Sequence, residues 1–236
     1  MPSRAFFCYS IGYSAYTIDV VDSTNSYFKR NYKSFLDKSL LIAYKQTNGR
    51  GRFERIWKSS NDICFSILYK EKALYQIICP LAVLFALKDF DINASIKWPN
   101  DIYIDNKKMS GILIEDIYEN SFMASIVGIG ININDYNEFN AIGLNRFCII
   151  DKNSLIYNIL KYIEYFKILS NKKLIKMYKE NNLIINKTII YNNESYRAID
   201  ITIDGHLVLK KEEDIIIVTS NEITLVKWKN GLYIDL

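Results

Sequence analysis

A change of texture near residue 186 restricts the possible folds more than any other feature of this chain. Upstream of it, strand-like and helix-like segments alternate. Residues 14–21 read as a strand, and Asp22-Ser23 then offers N-cap chemistry before apolar residues at helical spacing over 25–35. A short β-type run at 40–44, a polar, glycine-containing stretch at 45–61 and a strand at 63–69 follow. Residues 73–90 read as a buried helix and 102–104, 109–118 and 122–133 as strands, the last punctuated by Gly128 and Gly130; 155–169 and 172–181 are helical by period. Downstream, 188–191, 195–203, 207–209, 215–219 and 223–228 are short β-type runs separated by polar turns. The pattern predicts an α/β (α+β) chain: a mixed β-sheet with packed helices over 1–185, then a small β-barrel or sandwich over 186–236.

Several function classes drop out on composition. Half of the residues are hydrophobic, with three prolines and nine glycines, which excludes a disordered or collagen-like chain. The longest uncharged stretch, 73–87, is too short to span a bilayer and contains Pro80. Residues 5–18 are also uncharged, but Tyr, Ser and Gly interrupt them and no cleavage site follows, so no secretory signal is expected. Cys8, Cys64, Cys79 and Cys148 form no CxxC pair, which argues against a zinc ribbon and for reduced thiols in the cytoplasm. The one histidine, His206, lies in Asp204-Gly205-His206 between two alternating runs and reads as part of a hairpin turn; a Ser-His-Asp triad or a multi-histidine metal site is thereby excluded. The net charge of +4 is well below that of a dedicated nucleic-acid binder, so functional positive charge has to be local.

That charge sits in one place. Lys45, Arg50, Arg52, Arg55 and Lys58 face only Glu54, an excess equal to that of the whole chain. In the stretch from Gln46 to Trp57, Gly49 and Gly51 alternate with arginines, so that backbone and guanidinium forks approach an anion together, and Trp57 offers a flat apolar cover. Lys97-Trp98-Pro99-Asn100-Asp101 puts a rigid turn, an amide and a carboxylate before a strand. Lys107-Lys108-Met109-Ser110-Gly111 places a lysine at the mouth of an apolar strand. Gly128-Ile129-Gly130-Ile131-Asn132 lacks the third glycine of a dinucleotide fingerprint and lies in a strand.

Together with Asp22-Ser23-Thr24-Asn25, these motifs resemble, in order and spacing, the biotin protein ligases, and the strand-rich tail resembles that family's small Src-homology-3-like barrel. The resemblance implies a catalytic domain over 1–185 and a barrel over 186–236. It also implies an ATP-dependent ligase that activates biotin as biotinoyl-5′-AMP, with Mg²⁺ on the phosphates, and passes it to a lysine of a biotin carboxyl carrier protein. By that resemblance Ser23, Thr24, Gln46, Gly49 and Gly111 bind biotin together with Arg50 and Lys108; Lys108, Arg50 and Asp101 carry the catalysis; and Arg52, Arg55, Trp57 and Asn132 hold ATP and the adenylate. With only about twenty residues before Asp22, no DNA-binding domain is expected, and the protein is expected to work in the cytoplasm as a monofunctional monomer or homodimer without DNA or membrane. Lipoate or octanoate transfer on the same fold, and a non-catalytic binding module, are the alternatives.

Overall fold

The computed structural model describes residues 2–5, 9–58, 60–136, 140–219, 224–229 and 232–235. An eight-stranded mixed sheet dominates the first part of the chain. It contains β1 (Ser3–Ala5), β2 (Ser14–Val21), β3 (Ser39–Gln46), β4 (Ser60–Tyr69), β5 (Ser95–Lys97), β6 (Asp101–Ile104), β7 (Lys107–Glu119) and β8 (Ser121–Ile131), in the order β1-β2-β3-β4-β8-β7-β6-β5. Among the described strands of this sheet only the β2–β3 pair is parallel. Between these strands lies α1 (Thr24–Asn31), capped by the Ser23 hydroxyl, which accepts from Ser26 N. The segment expected to be one helix over 25–35 ends there and continues as a 3₁₀ turn at Tyr32–Ser34.

Both faces of the sheet are covered, which is why its central strands read as nearly continuous apolar runs rather than alternating ones. Leu41, Leu68, Ala124 and Ile126 turn toward α1 and its Phe28. Their neighbours Leu40, Ile67 and Val127 turn the other way, as the pleat requires, into a core shared with α2 (Tyr75–Lys88), α3 (Lys152–Lys167) and α4 (Asn171–Glu180). Among the described residues no helix is long and apolar enough to cross a membrane.

The tail corrects one expectation. Strands β9 (Thr188–Tyr191), β10 (Glu194–Ile201), β11 (Leu207–Lys211), β12 (Asp214–Val218), β13 (Thr224–Lys229) and β14 (Leu232–Asp235) form an open antiparallel sheet in the order β12-β11-β10-β9-β13-β14, so the Src-homology-3-like β-barrel is not closed. Alternation predicts a buried face but not what buries it. Here Ile189, Ala198, Ile201, Leu207, Leu209 and Val218 join the same apolar core as α2 and α3. A sheet whose apolar face is covered by helices gains nothing by curling onto itself. Gly205, at φ +84°, turns β10 into β11 with Gly205 N donating to Thr202 O and Thr202 N to His206 O, the hairpin expected around His206.

Candidate active site

A cavity of about 420 Å³ opens on the α1 face of the sheet. It lies where the row Ala124, Ile126 on β8 continues as Gly128 and Gly130. Of the twelve residues expected at the site, Ser23, Thr24, Gln46, Arg50, Arg52, Arg55, Trp57, Asp101, Lys108, Gly111 and Asn132 line it. Gly49 does not. A Cβ there would stand 2.5 Å from Trp57 O and 2.9 Å from Gln46 Nε2, so Gly49 sits behind the wall and lets those two residues close up.

The floor is made of neutral hydrogen-bonding groups at the start of α1. Thr24 donates to Gln46 Oε1 through both its amide (2.8 Å) and its hydroxyl (3.1 Å). The hydroxyl of Ser66, on β4, lies 2.6 Å from both Thr24 Oγ1 and Asn25 Oδ1, and Asn25 Nδ2 donates to Glu115 Oε2 at 3.0 Å. Gly128 is required here, because a Cβ would come within 2.3 Å of Asn25 Oδ1. Asn25, Ser66 and Glu115 were not among the expected residues. Asn25 lies inside a motif already singled out, and Ser66 and Glu115 are polar residues within two largely apolar strands.

Over the floor lies a lid. The basic stretch folds back as a hairpin, with Trp57 N donating to Gly49 O, an Arg50–Ile56 bridge, and Gly51 N donating to Arg55 O at 2.7 Å. The chain reverses through Phe53, which has a φ of 53°. This brings the Trp57 ring down on two glycines: a Cβ at Gly130 would stand 2.5 Å from Trp57 Cε2, and one at Gly111 3.1 Å from Cζ3. Arg50 Nη2 lies 3.3 Å from both oxygens of Glu115, and Arg52 Nη1 lies 3.3 Å from Asn100 Oδ1. Arg50 Nε and Trp57 Nε1 are buried in the cavity wall without an acceptor. Buried donors of this kind mark places where a bound polar group fits.

At the junction of floor and mouth, Lys108 Nζ lies 2.7 Å from Asp101 Oδ1 and 5.6 Å from the centre of the Trp57 ring. Asp101 ends the turn at 97–101, which contains a cis Trp98–Pro99 bond. Trp98 Nε1 donates to Gly205 O (2.9 Å), Tyr178 OH to Pro99 O (2.7 Å), and Asn100 Nδ2 to Ile112 O (2.5 Å), so the tail, α4 and β7 each hold one residue of the turn. Tyr103 also lines the mouth; burial, then the Asp101 charge, pushes its hydroxyl pKa above the usual range. Asn132, expected to face the nucleotide, donates through Nδ2 to Lys108 O at 2.9 Å. Among the described residues no three His, Cys, Asp or Glu side chains converge to hold a metal.

Residues 17–132 match the model of the biotin/lipoate A/B protein ligase family. The chain is 38% identical over 112 residues to the bifunctional ligase/repressor BirA of Bacillus subtilis, covering 43% of this chain and 34% of that one, and 29% identical over 147 residues to the biotin–protein ligase of Schizosaccharomyces pombe, covering 49% and 23%. It thus spans about a third or less of these curated relatives. Among solved structures, the biotin protein ligase from Aquifex aeolicus in complex with biotin and ATP is 27% identical with a TM-score of 0.75, covering 89% of this chain and 97% of that one. The matched segment carries the floor, the lid, the turn at 97–101 and Lys108, and over it the chain is similar to the biotin/lipoate A/B protein ligase family.

Proposed function

We propose that this protein is an ATP-dependent biotin protein ligase. The supporting observation is the gradient along the cavity: a neutral floor at Ser23, Thr24 and Gln46, a guanidinium-lined mouth at Arg50, Arg52 and Arg55, and the Lys108–Asp101 pair between them. The ureido head of biotin needs neutral donors and acceptors, whereas its carboxylate has to meet a polyphosphate, and that encounter of two anions needs cations.

In the first step a biotin carboxylate oxygen attacks the α-phosphorus of ATP and the bond to pyrophosphate breaks, giving biotinoyl-5′-AMP. Lys108 draws the carboxylate into place, Arg50, Arg52 and Arg55 offset the phosphate charge, and Trp57 keeps water from the mixed anhydride. In the second step a lysine amine of a biotin carboxyl carrier protein attacks the acyl carbon, AMP leaves, and Asp101 stands ready for the proton the amine sheds. Mg²⁺ carried with ATP would offset phosphate charge; among the described residues no three His, Cys, Asp or Glu side chains converge to hold it.

The test is acid-dependent exchange of pyrophosphate into ATP, with biotin and lipoate as competing acids. Biotin should support exchange and lipoate should not. Lys108→Ala should cut the rate by well over tenfold, about 2–4 kcal/mol for one lost transition-state contact. Exchange with lipoate alone, or an unimpaired folded Lys108→Ala protein, would overturn the assignment.

A further inference from the structure

Asp62 is an oddity at the start of β4. It is 4% exposed in a strand that is otherwise apolar from Ile63 to Leu68 apart from Ser66. Burying a carboxylate is expensive unless hydrogen bonds compensate it. Asp62 obtains them from one place, the loop that follows β8: Oδ1 accepts Ile133 N at 2.9 Å and Oδ2 accepts Tyr136 OH at 2.8 Å.

The other side of that loop holds the main chain of Lys108. Lys108 N donates to Asn140 O (3.0 Å), while Lys108 O accepts from both Ile142 N and Asn132 Nδ2, each at 2.9 Å. Tyr136 and Ala141 are paired through both their amides, at 3.3 and 3.1 Å. Hydrogen bonds therefore link the Asp62 carboxylate to Tyr136, Tyr136 to Ala141, and the residues on either side of Ala141, Asn140 and Ile142, to the main chain of Lys108. Asp135 secures the far end of the loop by accepting from Gly143 N and Arg146 Nε. Lys108 reaches the reacting groups along a flexible four-carbon stem, so its aim depends on how firmly its backbone is held.

We propose that Asp62, acting through Tyr136, is a positioning residue that sets the backbone of Lys108 for adenylate formation. The proposal rests on the reading that Lys108 meets the biotin carboxylate. Burial raises the Asp62 pKa, against the opposing effect of the Ile133 and Tyr136 bonds, which agrees with a carboxylate held by that loop.

The experiment compares Asp62→Ala, Asp62→Asn and Tyr136→Phe with the full-length wild type in steady-state pyrophosphate exchange, with amide hydrogen exchange measured on each protein without ligand. Asp62→Ala should lower kcat by about tenfold or more while KM for biotin stays within about twofold, because Ser23, Thr24 and Gln46 stand at the start of α1 and the end of β3, not on β4 or the loop after β8. Asp62→Asn keeps an acceptor for Ile133 N and gains a donor toward Tyr136 Oη, so it should recover most of kcat. Tyr136→Phe, a milder change that leaves the core packed, should lower kcat by a smaller factor, and adding it to Asp62→Ala should cost little more. Exchange at the Ile133 and Ile142 amides should rise in Asp62→Ala and not in Asp62→Asn. Unchanged kcat in Asp62→Ala, an asparagine variant as impaired as the alanine one, or kcat and KM for biotin worsening together would overturn the proposal. If wild type shows no exchange with any acid, the functional reading fails. The amide exchange at Ile133 and Ile142 then decides by itself whether Asp62 holds the Lys108 backbone.

Discussion

Replacing Gly130 with alanine should open the lid. The added Cβ would stand 2.5 Å from Trp57 Cε2 and Cζ2 and 2.9 Å from Nε1, against an optimal carbon–carbon separation of about 3.5–4.0 Å, so the indole has to retreat by roughly 1 Å or more. A tryptophan buries about 150–250 Å². Losing roughly half of that at ~25 cal/mol per Å² removes about 2–3 kcal/mol from lid closure, a factor of roughly 30–150. The same construction grades two companions. At Gly111 a Cβ would meet Trp57 Cζ3 and Lys108 Cε at 3.1 Å, so small adjustments suffice and a severalfold effect is expected. At Gly51 the nearest atom is Arg55 O at 3.6 Å, an ordinary contact at a φ of −106° that alanine tolerates, so little should change. Two assays read the lid: the rate at which preformed biotinoyl-AMP leaves the protein, and, without any ligand, trypsin cleavage at the lid arginines. Both should rank the variants Gly130, Gly111, Gly51 from most to least affected. If Gly130→Ala holds the adenylate as long as Gly51→Ala does, Trp57 is not what closes the site.

Trp98→Phe removes the donor to Gly205 O and leaves that carbonyl unsatisfied, which should cost about 1–3 kcal/mol and, at ~2–4 °C per kcal/mol for a chain of this size, lower Tm by several degrees in calorimetry; an unchanged Tm would refute the role of this bond in holding the tail. Glu164 lies between Tyr13 OH (2.7 Å) and Lys38 Nζ (2.6 Å); burial raises its pKa, but these bonds outweigh it and hold the carboxyl below its usual value. A carboxyl lowered on folding stabilises above its unfolded pKa of about 4.3 and loses that contribution as pH falls through the lower folded value. Glu164→Gln should therefore be less stable than wild type at pH 7 and converge on it in acid; a pH-independent gap in thermal unfolding would refute the attribution.

The floor and lid were legible because each needs a residue type that little else explains: glycines that a ring lies against, alternating arginines, a tryptophan ending a polar loop. Strands β1, β5 and β14 were missed: each is a strand of three or four residues at the edge of its sheet, where little of it has to be apolar. The barrel was misjudged for a different reason. Alternation in β10 and β11 shows which face is apolar, but the helices that cover it come from more than a hundred residues upstream or from the α3–α4 pair, and no local pattern announces that meeting. Asp62 was overlooked because an aspartate at the head of a strand usually points to water; only its bonds to Ile133 and Tyr136 show that it is turned inward.

The uneven distribution of charge along the cavity means that its two ends should respond differently to ionic strength. Hydrogen bonds among Thr24, Gln46 and Ser66 involve no net charge, and added salt leaves such contacts nearly untouched. Guanidinium groups at the lid would act on a phosphate over distances comparable with the Debye length, about 8 Å at 0.15 M salt, and weaken as ions crowd in. On the proposed reading, electrolyte concentration becomes a means of uncoupling the two substrates: occupancy by the nucleotide follows the medium more steeply than grip on the small acid, which meets a single cation at Lys108.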